Sequence, residues 1–493
     1  MGAIKMLNRH LVPGEGNAMN NERISETVAA WVGDAVTVQD DRSVVVNQPD
    51  ALREGIESLV QTAVLGSETD RGLAQWLIRS CAQEMQIIPA SIHELYFARG
   101  RGETRNDYTV PAINLRALPF YAARAIFRAL HEIDAKALIF EIARSEMGYT
   151  DQPPAEYTAN LLAAAIAEGY QGPVFIQGDH FQVSPKRFVQ TPDDEMEALR
   201  TLIRSAISGG FFNIDIDTST LVDLSQETIP EQQRTNFTLC AELATLVREL
   251  EPQGVTISIG GEIGEVGGHN STETELRAFM QGYNQTMAEK KPDAPGLSKI
   301  SIQTGTSHGG VVLPDGSIAE VKVDFDTLER LSNVARKEFG MAGAVQHGAS
   351  TLPISAFSRF AEAGTCEVHL ATNFQNILYD HLPDAIREEI YTFLDSNFDH
   401  ERKPDQTEEQ FYYKTRKRAL GPFKKKLWDL PEGLRHEIEN SWEKQFRILF
   451  ERLNIQSTQD EVEQHVKPVA VAPILSDYVK GLQASDDIED LAD

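Results

Sequence analysis

Residues 173–180 read PVFIQGDH, a run of β-branched and aromatic residues that stops on an Asp-His pair. A short apolar run closed by ligand-type or acid–base residues is how a buried parallel strand ending at a functional face looks in sequence. Two segments of the same form precede it, 109–114 (TVPAIN) and 136–143 (KALIFEIA). Five follow: 211–217 (FFNIDID), 255–264 (VTISIGGEIG), 297–305 (LSKISIQTG), 342–348 (AGAVQHG) and 365–372 (TCEVHLAT). Amphipathic stretches such as 195–207 (EMEALRTLIRSAI) and 237–250 (FTLCAELATLVREL) separate them. Eight strands, each followed by a helix, predict an α/β fold: a (β/α)₈ TIM barrel rather than an open sheet.

The barrel is expected over 109–380, with mostly helical extensions at 1–108 and 381–493. In the first, 25–32, 51–64 and 71–81 carry helical patterns, 42–46 a short strand, and 99–107 (RGRGETRND) a charged connector. In the second, Leu434, Ile438, Trp442, Phe446, Leu449 and Leu453 recur every three or four positions, a helical stripe. The final ASDDIEDLAD is acidic and expected to fray.

A formal charge of −28, from 74 acidic and 46 basic residues, argues against nucleic acid and anionic membrane as partners. Any anionic substrate must then meet local positive groups. No apolar run approaches the roughly 18 residues that span a bilayer. The N-terminus shows no secretory pattern. Cys81, Cys240 and Cys366 are odd in number and lack CxxC spacing, which argues against disulfides or a thiolate zinc site. A cytoplasmic chain is expected.

Chemistry in such barrels gathers at the C-terminal ends of strands. Strand three ends in Asp179-His180, strand four carries Asp215 and Asp217, and strand five Glu262. Strand six runs into His308, strand seven ends in His347, and strand eight carries His369 and Thr372. A lone histidine at a strand end is usually a hydrogen-bonded structural residue. His180, His308 and His347 at equivalent ends converge on one mouth, where three imidazoles hold a metal and leave a coordination place open. Nitrogen donors favour Zn²⁺ over magnesium.

Glu262 reads as a further ligand, a carboxylate behind a ligand, or a salt-bridge partner. Asp179, beside a ligand, can move a proton to a substrate hydroxyl or orient an imidazole. Asp215 and Asp217 share a strand face by two-residue spacing, as a proton relay, a ligand support or a paired carboxylate. The glycine-rich 260–268 (GGEIGEVGG) lets backbone N–H groups approach phosphate but does not match a dinucleotide fingerprint. Ser350 and Thr372 follow strands seven and eight, where many barrels bind phosphate; loop capping is the rival role.

Taken in order, these motifs resemble the class II, metal-dependent ketose-bisphosphate aldolases. Gly178-Asp179-His180 resembles that family's Asp-His after strand three, and Ile216-Asp217-Thr218-Ser219 its Ile-Asp-x-Ser. Residues 262–268 match its Glu-(Leu/Ile)-Gly-x-x-Gly-Gly loop, and His308-Gly309 and His347-Gly348 its two His-Gly pairs. Ala349-Ser350 resembles a following Gly-Ser, and 411–416 (FYYKTR) a C-terminal basic motif that in some members reaches a substrate phosphate across a dimer.

The resemblance implies His180, His308 and His347 as zinc ligands, Glu262 as a metal-associated carboxylate and Asp179 as the acid–base residue. Asp217 would assist catalysis. Gly309, Gly348, Ser350, Thr372 and Arg416 would hold a phosphate, with a monovalent cation, in a homo-oligomer. The implied reaction is reversible aldol cleavage of a phosphorylated ketose, fructose-1,6-bisphosphate-like, to dihydroxyacetone phosphate and an aldehyde, as in glycolysis.

The sequence also departs from the family. The acidic pair after the Gly-Gly is here His269 and Asn270, so His269 is the candidate replacement for the acid. The Asn-x-Asp-Thr of strand eight is His369-Leu-Ala371-Thr372, and Gln410-Phe411 stands where the basic motif has a lysine. Two alternatives stay open: a zinc-dependent epimerase or isomerase of a sugar or sugar acid, and a non-catalytic aldolase-like subunit. A Schiff-base aldolase is disfavoured, because Lys136 and Lys299 stand at strand starts, away from the expected mouth.

Overall fold

All eight segments are strands in the computed structural model of the chain, which describes residues 21–264, 269–305, 313 and 322–479. In chain order they are β1 (Val110–Asn114), β2 (Ile139–Ala143), β3 (Gly172–Gln182) and β4 (Asn213–Asp217), then β5 (Ser258–Glu262), β6 (Lys299–Ile302), β7 (Ala344–Gln346) and β8 (Glu367–Leu370). Each pairs in parallel with the next. β8 then pairs with β1, Glu367 beside Val110 through Leu370 beside Ile113, and the sheet closes into a (β/α)₈ barrel.

The helices pack apolar stripes on the strands. Helix Pro119–His131 buries Phe120, Ala123, Ile126, Phe127 and Leu130, and each fully buried large side chain stabilises by roughly 1.5–3 kcal/mol. Helix Pro192–Gly209 begins on proline and carries Asp193, Asp194 and Glu195 in its first turn, where the helix dipole favours them.

The N-terminal helices span Asn21–Val32, Pro49–Leu65 and Glu68–Glu84, with an antiparallel strand pair, Val36–Val38 and Val44–Val46, between the first two. An unforeseen strand, Ile87–Ala90, then pairs in parallel with the start of β3. Residues 91–100 continue across the N-terminal end of the barrel. There the Asn213 side chain accepts from the Ile92 N–H, and the Ser258 N–H donates to Ser91 Oγ. Helix His93–Gly100 therefore closes the bottom of the barrel.

Of the C-terminal stripe, Ile438, Trp442, Phe446 and Leu449 are buried along helix Glu432–Arg452 and Leu434 is partly buried; Trp442 Nε1 donates to the Phe374 carbonyl at 2.9 Å. One hydrophobic cluster runs from Ile24 to Tyr478, so both extensions share the barrel's core. The acidic tail lies outside the described residues. Among those described, no helix is long and apolar enough to cross a membrane.

Candidate metal and active site

Strand side chains alternate, so two successive residues facing one site need a break in the pleat. β3 supplies it. Its register with β4 shifts between Gly178 and Phe181, and His180 takes a φ of 39°, uncommon for a residue with a side chain. Gly178 has no substitute here, since a Cβ would lie 2.4 Å from the Phe181 ring. Backbone strain thus sits on a ligand candidate, as it often does at functional sites.

His180 Nδ1 is 3.0 Å from Asp217 Oδ2. Asp217 is itself fixed: Gln182 Nε2 donates to it at 2.5 Å, and Ser219 donates from N–H and hydroxyl at 3.0 and 2.6 Å. A carboxylate behind an imidazole fixes the ring and its tautomer, so that Nε2 is the nitrogen that could hold a metal. Asp217 therefore stands as the support of His180.

Glu262, at the end of β5, brings Oε2 to 3.4 Å from His180 Nδ1. His347, just past β7, lies with its ring 4.2 Å from that of His180, and its Nε2 is 2.9 Å from Ser301 Oγ. One donor atom from each of His180, Glu262 and His347 falls within 4.8 Å of the others. Two imidazoles and a carboxylate from the ends of three strands make a set that suits zinc. The predicted third imidazole, His308, and Gly309 lie outside the described residues.

Asp179 borders this group, with Oδ1 3.9 Å from His180 Nε2. Its Oδ2 accepts from Asn114 Nδ2 at 2.9 Å, and Oδ1 is 3.1 Å from His369 Nδ1. Burial pushes its carboxyl upward, but the imidazoles of His180 and His369 outweigh burial and hold it well below the usual carboxylate range. Glu262 goes the other way: burial, reinforced by the Asp217 charge, pushes it up to about 8. A cation beside it favours the ionised form.

Below the mouth the barrel interior is charged. Lys299 donates to Gln177 Oε1 at 2.7 Å and to Glu367, and stands 3.0 Å from Asp215 Oδ2. This corrects the placement of Lys299 on a face away from the mouth. It pairs opposite Gly260 and points inward, because a Cβ on Gly260 would lie 2.3 Å from Asp215 Oδ1 and 2.9 Å from Lys299 Cε. Burial lowers the Lys299 pKa, but Asp215 and Glu367 outweigh it and raise the group above its ordinary value. An ammonium so paired is a poor Schiff-base nucleophile.

Ser350 and Thr372 come together. The Ala371 N–H donates to Ser350 Oγ at 2.7 Å, and Thr372 opens helix Thr372–His381, whose N-terminal N–H groups favour an anion. Arg416 is held differently. Its guanidinium lies between the rings of Tyr379 and Tyr413, 4.7 and 4.4 Å from their centres, and donates to Asn376 Oδ1 at 2.5 Å. His269 is exposed, its Nδ1 3.0 Å from the Asn270 carbonyl, and touches none of the metal-type group among the described residues.

Asn114, Glu141, Gln177 and Glu367 were not singled out in the sequence. Each is a polar residue inside an otherwise apolar strand, and an ionisable group buried there is the usable signal. Arg116, just past β1, also borders the mouth, pairing with Glu146 at 2.5 Å.

The profile of the fructose-bisphosphate aldolase class-II family matches residues 103–427. The chain belongs to this family and is an aldehyde-lyase. The fold is similar to that of the YdjI aldolase from Escherichia coli K12, at 13% identity and a TM-score of 0.44, over 75% of this chain and 99% of that one. It is also similar to fructose-bisphosphate aldolase (Fba) from Campylobacter jejuni, at 17% identity and a TM-score of 0.42, over 73% and 93%. Class II aldolases are in general metal-dependent, and His180, Glu262 and His347 form a group able to hold an ion.

Proposed function

We propose that the chain cleaves a phosphorylated ketose, fructose-1,6-bisphosphate-like, reversibly to dihydroxyacetone phosphate and an aldehyde, with zinc held by His180, Glu262, His308 and His347. The convergence of His180, Glu262 and His347, with Asp179 bordering them, carries this reading. When bound, zinc supplies Lewis-acid polarisation of the ketone and stabilises the negative charge left by bond breaking. Asp179 takes the proton from the hydroxyl on the carbon that leaves as aldehyde, and returns it in condensation. In the cleavage direction the ionised carboxylate is the form that accepts this proton.

In this reading Gly309, Gly348, Ser350 and Thr372 receive one phosphate at the N-terminus of helix Thr372–His381, with a monovalent cation, and Arg416 adds a positive group beside that helix. His269 takes the proton-exchange role on the keto fragment, and a homo-oligomer is the working assembly. Three buried, unpaired cysteines suit a reducing, cytoplasmic setting.

The test is a coupled assay for triose phosphate on a panel of ketose bisphosphates, with and without chelator. Expected is release that stops on chelation, returns with zinc, and falls by about 10²–10⁴ in Asp179→Asn. Metal-dependent exchange of substrate stereochemistry with no triose phosphate would replace this reading with the epimerase.

A further inference from the structure

Barrel interiors are normally filled by layers of branched apolar side chains. Here one chain of polar contacts crosses the interior from bottom to mouth. Tyr96, on helix His93–Gly100, donates its hydroxyl to Glu367 Oε2 at 2.5 Å. Glu367 Oε1 is 2.7 Å from His369 Nε2, and His369 Nδ1 is 3.1 Å from Asp179 Oδ1. All four side chains are buried. The His369 ring therefore has a carboxylate at each nitrogen, which fixes its rotation. Glu367 is clamped in turn by Tyr96, Lys299 and Gln177.

We infer that His369, anchored by Glu367 and through it by Tyr96 of the N-terminal segment, is a positioning residue that orients the Asp179 carboxylate toward the substrate hydroxyl. This rests on the reading of Asp179 as the acid–base group. The carboxylate is gripped on one oxygen by Asn114 and on the other by His369. Removing one grip frees its terminal torsion, and a shift of about 1 Å at a reacting group can cost 10²-fold in rate. Tyr96 and Glu367 act at a distance, because they meet Asp179 only through the imidazole. The N-terminal extension is thereby coupled to the chemistry as well as to stability.

The experiment compares Tyr96→Phe, His369→Gln, the double variant and Asp179→Asn in the full chain. Tyr283→Phe, a buried tyrosine on the outer helix Glu273–Lys290, serves as control. Zinc content, unfolding midpoint, kcat and KM for cleavage are read together with solvent exchange of the C–H protons of dihydroxyacetone phosphate, a step that needs no proton moved by Asp179. His369→Gln is expected to lower kcat for cleavage by about 10²-fold, with zinc, KM and exchange kept. Tyr96→Phe should lower kcat by roughly 3–10-fold, and the double variant should be no slower than His369→Gln alone, because both act on one contact. Tyr283→Phe should match the wild type.

Wild-type kcat in Tyr96→Phe, multiplying effects in the double variant, or a raised KM at unchanged kcat in His369→Gln would overturn the inference. Asp179→Asn separates the two levels. If it cleaves normally, the acid–base reading fails. If it is inactive while Tyr96→Phe is unaffected, only the coupling fails.

Discussion

Replacing Lys299 with methionine should cost more stability than any change of similar volume elsewhere in the barrel wall. The Lys299 side chain is 1% exposed, and its carboxylate partners Glu367 and Asp215 are 0% and 8% exposed. Methionine fills much the same space but leaves both carboxylates buried without their cation. Breaking a buried pair in this way costs about 3–5 kcal/mol, a large share of the 5–15 kcal/mol that typically holds a domain together. Glu367 keeps Tyr96, Gln177 and His369, so the lower half of that range is expected.

The sign of the pH dependence follows from the same groups. Without the ammonium, burial drives Glu367 and Asp215 upward in the folded state. A carboxyl whose folded pKa exceeds its unfolded one contributes stability at low pH and loses it as pH rises through the folded value. The deficit of Lys299→Met should therefore be larger near pH 8 than near pH 5, and adding Asp215→Asn should recover about 1–2 kcal/mol at the higher pH. Urea unfolding of the three proteins at both pH values is the assay. A deficit below about 1 kcal/mol, or one that does not change with pH, would refute the reasoning.

Burial pushes Glu156 up to about 7 although Lys424 stands 2.8 Å away. Stability from this group is therefore lost as pH rises from the ordinary carboxylate range to 7, and Glu156→Gln should gain about 3 kcal/mol on the wild type between acid and neutral pH; parallel stability curves would contradict this. Burial also pushes Cys81 and Cys366 up to about 12, and all three thiols are buried. A thiol-reactive dye should label none of them until urea unfolds the chain, and fast native labelling would contradict that burial. Gly178→Ala, forced against the Phe181 ring, should destabilise by about 1–3 kcal/mol and weaken zinc affinity by displacing His180; unchanged affinity would show that the pleat break does not set the ligand.

The strands were legible because each is a short apolar run with polar residues at one end, and the barrel follows from their number and spacing. Asp179, His180, Glu262 and His347 were legible for the same reason. The way Asp179 and His180 both serve one site was not, since it depends on the backbone angle of His180 and the register shift beside it. Lys299 was misplaced because its facing is decided by pairing with Gly260, and the space it fills exists only because that partner lacks a side chain.

Residues 87–100 carried too short an apolar run to register as an element. The purpose of Tyr96 shows only once Glu367 is beside it. The motif points to Arg416 as a phosphate contact, and the tyrosine rings and Asn376 that hold it on the flank of helix Thr372–His381 do not show in that motif. Local pattern locates strand ends well. It does not reveal which side chains a long, aromatic-flanked residue will choose.

The metal centre itself is tested most directly by elemental analysis of dialysed protein. One zinc per wild-type chain is expected, with far less in His180→Ala and His347→Ala and a full complement in Asp179→Asn. Full zinc in His347→Ala, or none in the wild type after incubation with zinc, would show that these side chains do not form the site.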